Sequence, residues 1–282
     1  MTQSINAQPT GADIDARSGY ASVNGLNMYY EIHGTGQPLV LLHGAFSAIG
    51  TSFGALLPGL ASSRQVIAFE LQAHGRTADI DRPLSVEQMA DDTAAALQHL
   101  GIEQADILGY SMGGAVALQV AIRHPQVVRK LVLASVTYNL GGVHPGLMDG
   151  FEEMQPEMMF GSPWHDEYLR IAPDPDHFAT LFAKKNEMDR GTKDVPAETV
   201  AAIKSPTLIV IGDSDLVRPE HAVEMFRLLG GGVFGDLAGL PQSQLAILPG
   251  TTHVSIMNRA EWLVPMIGEF LDARVPDPGE AS

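Results

Sequence analysis

The chain has 282 residues, 45% of them hydrophobic, enough for one large α/β domain with an inserted subdomain. Its 17 Lys and Arg against 33 Asp and Glu give a formal charge of −16, which argues against nucleic acid and anionic membranes as partners and disfavours polyanionic ligands. The absence of cysteine excludes disulfides, thiolate metal sites and a cysteine nucleophile; with a polar N-terminus and no run of about 18 apolar residues, it points to a cytoplasmic protein.

Residues 1–18 read as a disordered tail. Segments 20–23 and 26–32 flank Asn24-Gly25, a two-residue turn signal, and predict a hairpin. The short apolar runs 38–42 and 65–69 predict strands buried on both faces. The first ends in His43-Gly44-Ala45-Phe46, the second in the polar loop Glu70-Leu71-Gln72-Ala73-His74-Gly75-Arg76. Ser85, with Gln88 three residues later, opens a helix that Gly101 stops. A strand at 105–108, a helix at 114–121 ended by His124-Pro125, and a strand at 130–135 follow.

From 138 to 202 strands vanish. Helical pieces at 147–160, 164–171 and 176–190 carry five of the 12 methionines and several aromatics. This segment is expected to be a helical cap over the C-terminal edge of the sheet, with Met and Phe as an adaptable apolar wall. A strand at 206–211 resumes the core and ends in Gly212-Asp213-Ser214-Asp215. A helix at 219–229 starts with proline, as a helix start should. The connection 230–243 is long, and is expected to line one side of the site or the cap hinge. The last strand, 244–248, leads to Pro249-Gly250-Thr251-Thr252-His253; a helix at 259–273 and a frayed end at 275–282 close the chain. Strands alternating with helices imply an α/β fold: a mostly parallel eight-stranded sheet covered on both faces, its core at 19–137 and 203–274, its cap at 138–202.

Gly109-Tyr110-Ser111-Met112-Gly113 joins a buried strand to a buried helix, the context of a nucleophile elbow. The turn is tight enough to require small residues two before and two after the serine. A serine hydroxyl needs a base, and the base needs a group to fix its tautomer. Both must lie in loops after strands on the edge where Ser111 emerges. Of the ten histidines, His253, after the last strand, is the base of choice; Asp213 and Asp215, after the preceding strand, are both candidates for the acid. Met112, at the helix N-terminus, and Ala45, after the strand 38–42, can donate N–H groups to an oxyanion. His43 reads as a brace for its own loop.

These pieces together, with His74-Gly75-Arg76 and Gly250-Thr251-Thr252-His253, resemble the α/β-hydrolase fold family in its cap-bearing, single-domain form, over roughly 19–273. The resemblance implies Ser111 as nucleophile, His253 as base and Asp215 as acid, an oxyanion hole at Ala45 and Met112, and no metal or cofactor. It implies a serine hydrolase (an esterase) cleaving a carboxylic ester of a small-molecule substrate through an acyl-enzyme; the Met and Phe content of 138–202 together with the −16 charge leads us to expect that substrate to be small, neutral and apolar. Carbon–carbon hydrolysis, lactone opening and acyl transfer use the same triad, and a non-catalytic receptor would keep it. Phe46, Tyr110, Met154, Met158, Trp164, Phe182 and Val254 are expected to line the pocket. One departure is Glu70-Leu71-Gln72-Ala73, where many relatives have Asp-x-x-Gly. The sequence fixes neither the substrate nor an oligomeric state.

Overall fold

The computed structural model describes residues 16–274. The hairpin is β1 (Arg17–Val23) and β2 (Leu26–His33), with Asn24 and Gly25 both at positive φ. Arg17 and Ser18 already pair with Ile32 and Glu31, so the sheet starts inside the segment read as a tail. The rest of that tail, and the end at 275–282, lie outside the described residues.

After β3 (Gln37–Leu42) come the short helices α1 (Ile49–Phe53) and α2 (Leu57–Ala61), then β4 (Arg64–Phe69). Helix α3 (Val86–His99) starts at Ser85, whose hydroxyl accepts the Gln88 N–H. Then follow β5 (Ala105–Tyr110), α4 (Met112–Arg123) and β6 (Val128–Ala134). Between β6 and the next strand lie α5 (Leu147–Glu153), α6 (Pro163–Ile171), α7 (Phe178–Gly191) and α8 (Ala197–Ala201). The chain ends with β7 (Thr207–Ser214), α9 (Pro219–Leu228), α10 (Gly235–Ala238), β8 (Gln244–Thr252) and α11 (Ala260–Asp272).

The eight strands form one sheet in the order β1-β2-β4-β3-β5-β6-β7-β8, parallel from β4 onward. Period-two alternation divides its side chains between two cores. Val40, Leu42, Ile107 and Leu133 face the α3–α4 side, and Leu39, Leu41, Leu108 and Val132 the α1–α2–α11 side. The chain leaves β3 toward β4 in one direction and β5 toward β6 in the other. The carboxyl ends of β3 and β5 therefore flank a topological switch point, where the connecting loops diverge and leave a crevice. Leu42 and Gly109 are register partners there.

The opposite edge is closed by charge. Buried Asp106 pairs with Arg129 and Arg64, while Lys130, Arg129 and Arg64 donate to the carbonyls of Phe270, Leu271 and Gly268 in the last turns of α11. Cations there satisfy carbonyls that a helix end leaves without partners.

The helical piece expected at 147–160 is broken, α5 ending at Glu153 before a 3₁₀ turn at Pro156–Met159 that Pro156 starts, and two further features depart from expectation. Strands β7 and β8 run on to Ser214 and Thr252 through an irregularity at Gly212, where a Cβ would collide with the Thr251 carbonyl. The connection 230–243 does not line the site. It reaches β8 at the amino-terminal edge of the sheet, where Leu240 and Pro241 adjoin Lys130, Pro206 and Phe270. A helix leading into a parallel strand must arrive at that edge, which is the far side of the sheet from Ser111.

Candidate active site

Ser111 sits between β5 and α4 with φ 53° and ψ −120°, a conformation that non-glycine residues adopt at a cost of order 1–3 kcal/mol. The neighbours permit it. A Cβ on Gly109 would collide with the Gly113 carbonyl, and one on Gly113 with the Leu42 carbonyl. The turn lifts the Ser111 hydroxyl to the mouth of the crevice.

His253 follows β8 and reaches back over that mouth. Its Nε2 lies 2.9 Å from Ser111 Oγ and its Nδ1 2.8 Å from Asp215 Oδ1. An ionised carboxylate only accepts, so Nδ1 carries the proton and Nε2 presents its lone pair to the serine. Asp215 is held from four sides: Ser135 Oγ and Gly212 N donate to Oδ2, His253 and Val217 N to Oδ1. Burial pushes this carboxyl up, but the hydrogen bonds and the neighbouring imidazole outweigh it, and it ends below the ordinary carboxylate range. Asp213 is exposed and accepts the N–H groups of Gly250 (2.9 Å) and Thr251 (3.1 Å), tying β7 to β8 below His253. Of the two aspartates, only Asp215 touches the histidine.

The backbone N–H of Met112 opens α4, and that of Ala45 follows β3; neither has an acceptor among the described residues. The loop that presents Ala45 is a closed relay. Gly44 N donates to Ser52 Oγ (3.3 Å), Ser52 and Ser47 hydroxyls bond at 2.7 Å, and Ser47 Oγ donates back to Gly44 O (2.7 Å). His43 Nδ1 lies 2.8 Å from the same carbonyl, while its Nε2 accepts from Leu71 N. Burial holds His43 down to about 4 and His74 to about 3, so both are neutral struts. Glu70 is buried beneath this loop, accepts from Arg76, and is pushed by burial up to about 7.

Above Ser111 is a cavity of about 280 Å³. Phe46, Tyr110, Met154, Trp164, Phe182 and Val254 line it. Met158 does not. It is 68% exposed, because the 3₁₀ turn Pro156–Met159 rotates it outward and brings Met159 to the wall instead. Phe46, at φ 59°, stacks on Phe182 with centroids 5.1 Å apart.

Sequence reasoning missed three contributors, Ser135, Lys185 and Asp189, and one contact of Tyr110. Ser135, buried at φ 54°, bonds Asp215; its signal was a small polar residue ending a strand on the Ser111 edge. Tyr110 donates its hydroxyl to the His253 carbonyl at 2.8 Å, and nothing in the sequence announces that contact. Lys185 and Asp189 also line the cavity, paired at 2.5 Å, and their i,i+4 spacing on a helix was readable. No group of three or more His, Asp or Glu side chains among the described residues is arranged to hold a metal ion.

A family model described as alpha/beta hydrolase fold matches residues 37–201, more than half of the chain. The chain is 25% identical over 251 residues to "Putative carbamate hydrolase RutD" of Azorhizobium caulinodans, covering 83% of this chain and 91% of that protein. It is 28% identical over 256 residues to the pimeloyl-[acyl-carrier protein] methyl ester esterase of Neisseria meningitidis serogroup C, covering 82% and 92%. Among solved structures it resembles a serine hydrolase involved in carbazole degradation, the CarC enzyme, with a TM-score of 0.73, 22% identity, and 92% and 100% of the two chains covered.

Proposed function

Because the chain belongs to the alpha/beta hydrolase fold family, we propose that it is a serine hydrolase cleaving a carboxylic ester of a small, neutral, largely apolar substrate. The observation that carries this reading is the unbroken hydrogen-bond chain from Ser111 through His253 to Asp215. In the reaction, His253 Nε2 takes the Ser111 proton as Oγ attacks the acyl carbon. The negative charge that develops on the carbonyl oxygen meets the N–H groups of Ala45 and Met112. The imidazolium, stabilised by Asp215, gives its proton to the leaving alcohol. Water, deprotonated by the same nitrogen, then releases the acid and restores Ser111.

The sequence relatives fit this chemistry: one carries the name of a methyl ester esterase, the other that of a carbamate hydrolase. A carbamate is the second reading, since its acyl carbon can be attacked by the same serine with the same donors. The acidic surface and the absence, among the described residues, of a helix long and apolar enough to cross a membrane support a cytoplasmic enzyme acting on a dissolved small molecule.

The test is a panel of neutral aryl and alkyl esters of increasing acyl length, run beside the matching carbamates. A fluorophosphonate should form one adduct, on Ser111, and abolish turnover in proportion to labelling. Stoichiometric single-hit labelling without turnover of any ester or carbamate would instead assign the pocket to ligand holding.

A further inference from the structure

The cavity over Ser111 is apolar on most sides and polar on one. Helix α7 brings Lys185, Asn186 and Asp189 to its wall. Lys185 Nζ contacts both carboxylate oxygens of Asp189, at 2.6 and 2.5 Å. The two side chains are only 12% and 24% exposed. The ammonium also lies 5.9 Å from the centre of the Phe46 ring, which itself lines the cavity. An ion pair drawn out of water costs desolvation that its own attraction barely recovers. Its placement beside Phe46 in the cavity wall, rather than on the open face of α7, therefore calls for a purpose in the cavity. The helix has another lysine for docking: Lys184 pairs with Asp79 and donates to the Ile80 and Arg82 carbonyls, which leaves Lys185 to face inward.

The pair leaves hydrogen-bonding capacity unused. An ammonium has three protons, and Asp189 engages two oxygens' worth. The Asn186 carboxamide has no partner among the described residues. The charges cancel, so an anion entering near Lys185 meets the Asp189 carboxylate at comparable distance, and a cation near Asp189 meets Lys185. What gains at such a wall is an uncharged dipole.

We infer that Lys185, Asn186 and Asp189 form a subsite for a neutral oxygen acceptor, a ketone or hydroxyl carried by the substrate away from the scissile bond. The inference rests on the ester-hydrolase reading and narrows its substrate class to oxo- or hydroxy-esters. Asp189 acts there as a charge filter: it cancels Lys185 and thereby excludes carboxylate-bearing substrates.

The experiment compares kcat/KM for methyl hexanoate with methyl oxohexanoates carrying the ketone at C3, C4 or C5, and with methyl hydrogen adipate as the anionic probe. In the wild-type enzyme at least one oxo-ester should exceed hexanoate by about tenfold, the size of one good hydrogen bond. Asn186→Leu should bring that ratio down toward one. Asp189→Asn should raise adipate relative to hexanoate by about tenfold, because Lys185 is then uncompensated. The two variants rest on separate residues, and thermal melts establish that each is folded. Calorimetric binding to Ser111→Ala separates this inference from the reading of the reaction. Tighter binding of an oxo-ester than of hexanoate, with no turnover by wild type, sinks the reaction and keeps the subsite. Turnover with ratios near one in wild type, or ratios unmoved in both variants, overturns the subsite.

Discussion

Asp215→Asn probes the centre of the site, because the hydrogen bonds around this residue determine how the change must act. The carboxylate receives four donors: Ser135 Oγ and Gly212 N on one oxygen, His253 Nδ1 and Val217 N on the other. An asparagine offers one accepting oxygen and one donating nitrogen. If its nitrogen faces His253, the imidazole must move its proton to Nε2, and the lone pair aimed at Ser111 is lost. If its nitrogen faces Gly212, that backbone N–H loses its acceptor while Ser135 can only rotate. Either way one buried N–H goes unpaired, costing about 1–3 kcal/mol of stability. Where the nitrogen faces His253, the tautomer loss should lower turnover by roughly 10³ to 10⁴, the scale seen for the equivalent change in another triad; where it faces Gly212, the imidazolium loses the carboxylate charge that stabilises it, and turnover falls for that reason. Asp213→Asn keeps one of its two backbone contacts on an exposed side chain and should change turnover by no more than a few fold. The assay is kcat/KM of both variants on one activated ester, with thermal melts to establish folding. A folded Asp215→Asn enzyme keeping more than about a tenth of wild-type turnover, or a larger loss from Asp213→Asn, would refute this assignment.

Gly113→Ala places a methyl against the Leu42 carbonyl, so it should cost on the order of 3 kcal/mol and abolish turnover; a variant that melts with wild type would mean the elbow has more room than this. Glu70, pushed up to about 7 by burial, contributes stability that is fully present below its ordinary pKa and is lost as pH rises through about 7. The unfolding free energy from urea titrations should therefore fall between about pH 4.5 and 7, by an amount of order 3 kcal/mol at most, and Glu70→Gln should flatten that slope. Asp106→Asn removes the buried carboxylate shared by Arg129 and Arg64 and leaves Arg64, 2% exposed, with the exposed Asp272 as its counter-charge; it should cost up to about 3 kcal/mol while kcat per folded molecule is retained, because the charge cluster lies at the sheet edge remote from Ser111.

The strands were legible because each is an apolar run bounded by turn residues, and the elbow because its glycines are sterically compelled. Their ends were not. Segment 206–211 gives no sign that Asp213 would hold two N–H groups of the next strand and carry both strands onward. The site's apolar wall was readable as composition, but not its phase: a 3₁₀ turn advances about 120° per residue rather than 100°, and this one brings Met159 rather than Met158 to the cavity. The position of 230–243 was recoverable in principle, since the connection runs from a helix into a parallel strand. The polar side of the cavity was hidden by context. The i,i+4 spacing of Lys185 and Asp189 is equally that of an ordinary surface pair, and only the way α7 packs over the crevice turns them inward.

The central claim is that Ser111 is the group that attacks the substrate, and the most direct test is the turnover of Ser111→Ala on the best ester substrate. The change removes one oxygen at the mouth of the crevice and leaves the strained turn, the glycines and the His253–Asp215 pair in place. With an unchanged melt, kcat should fall by roughly 10⁶, as loss of a triad serine does elsewhere. A folded variant that keeps more than about a tenth of the wild-type rate would show that another group does the chemistry.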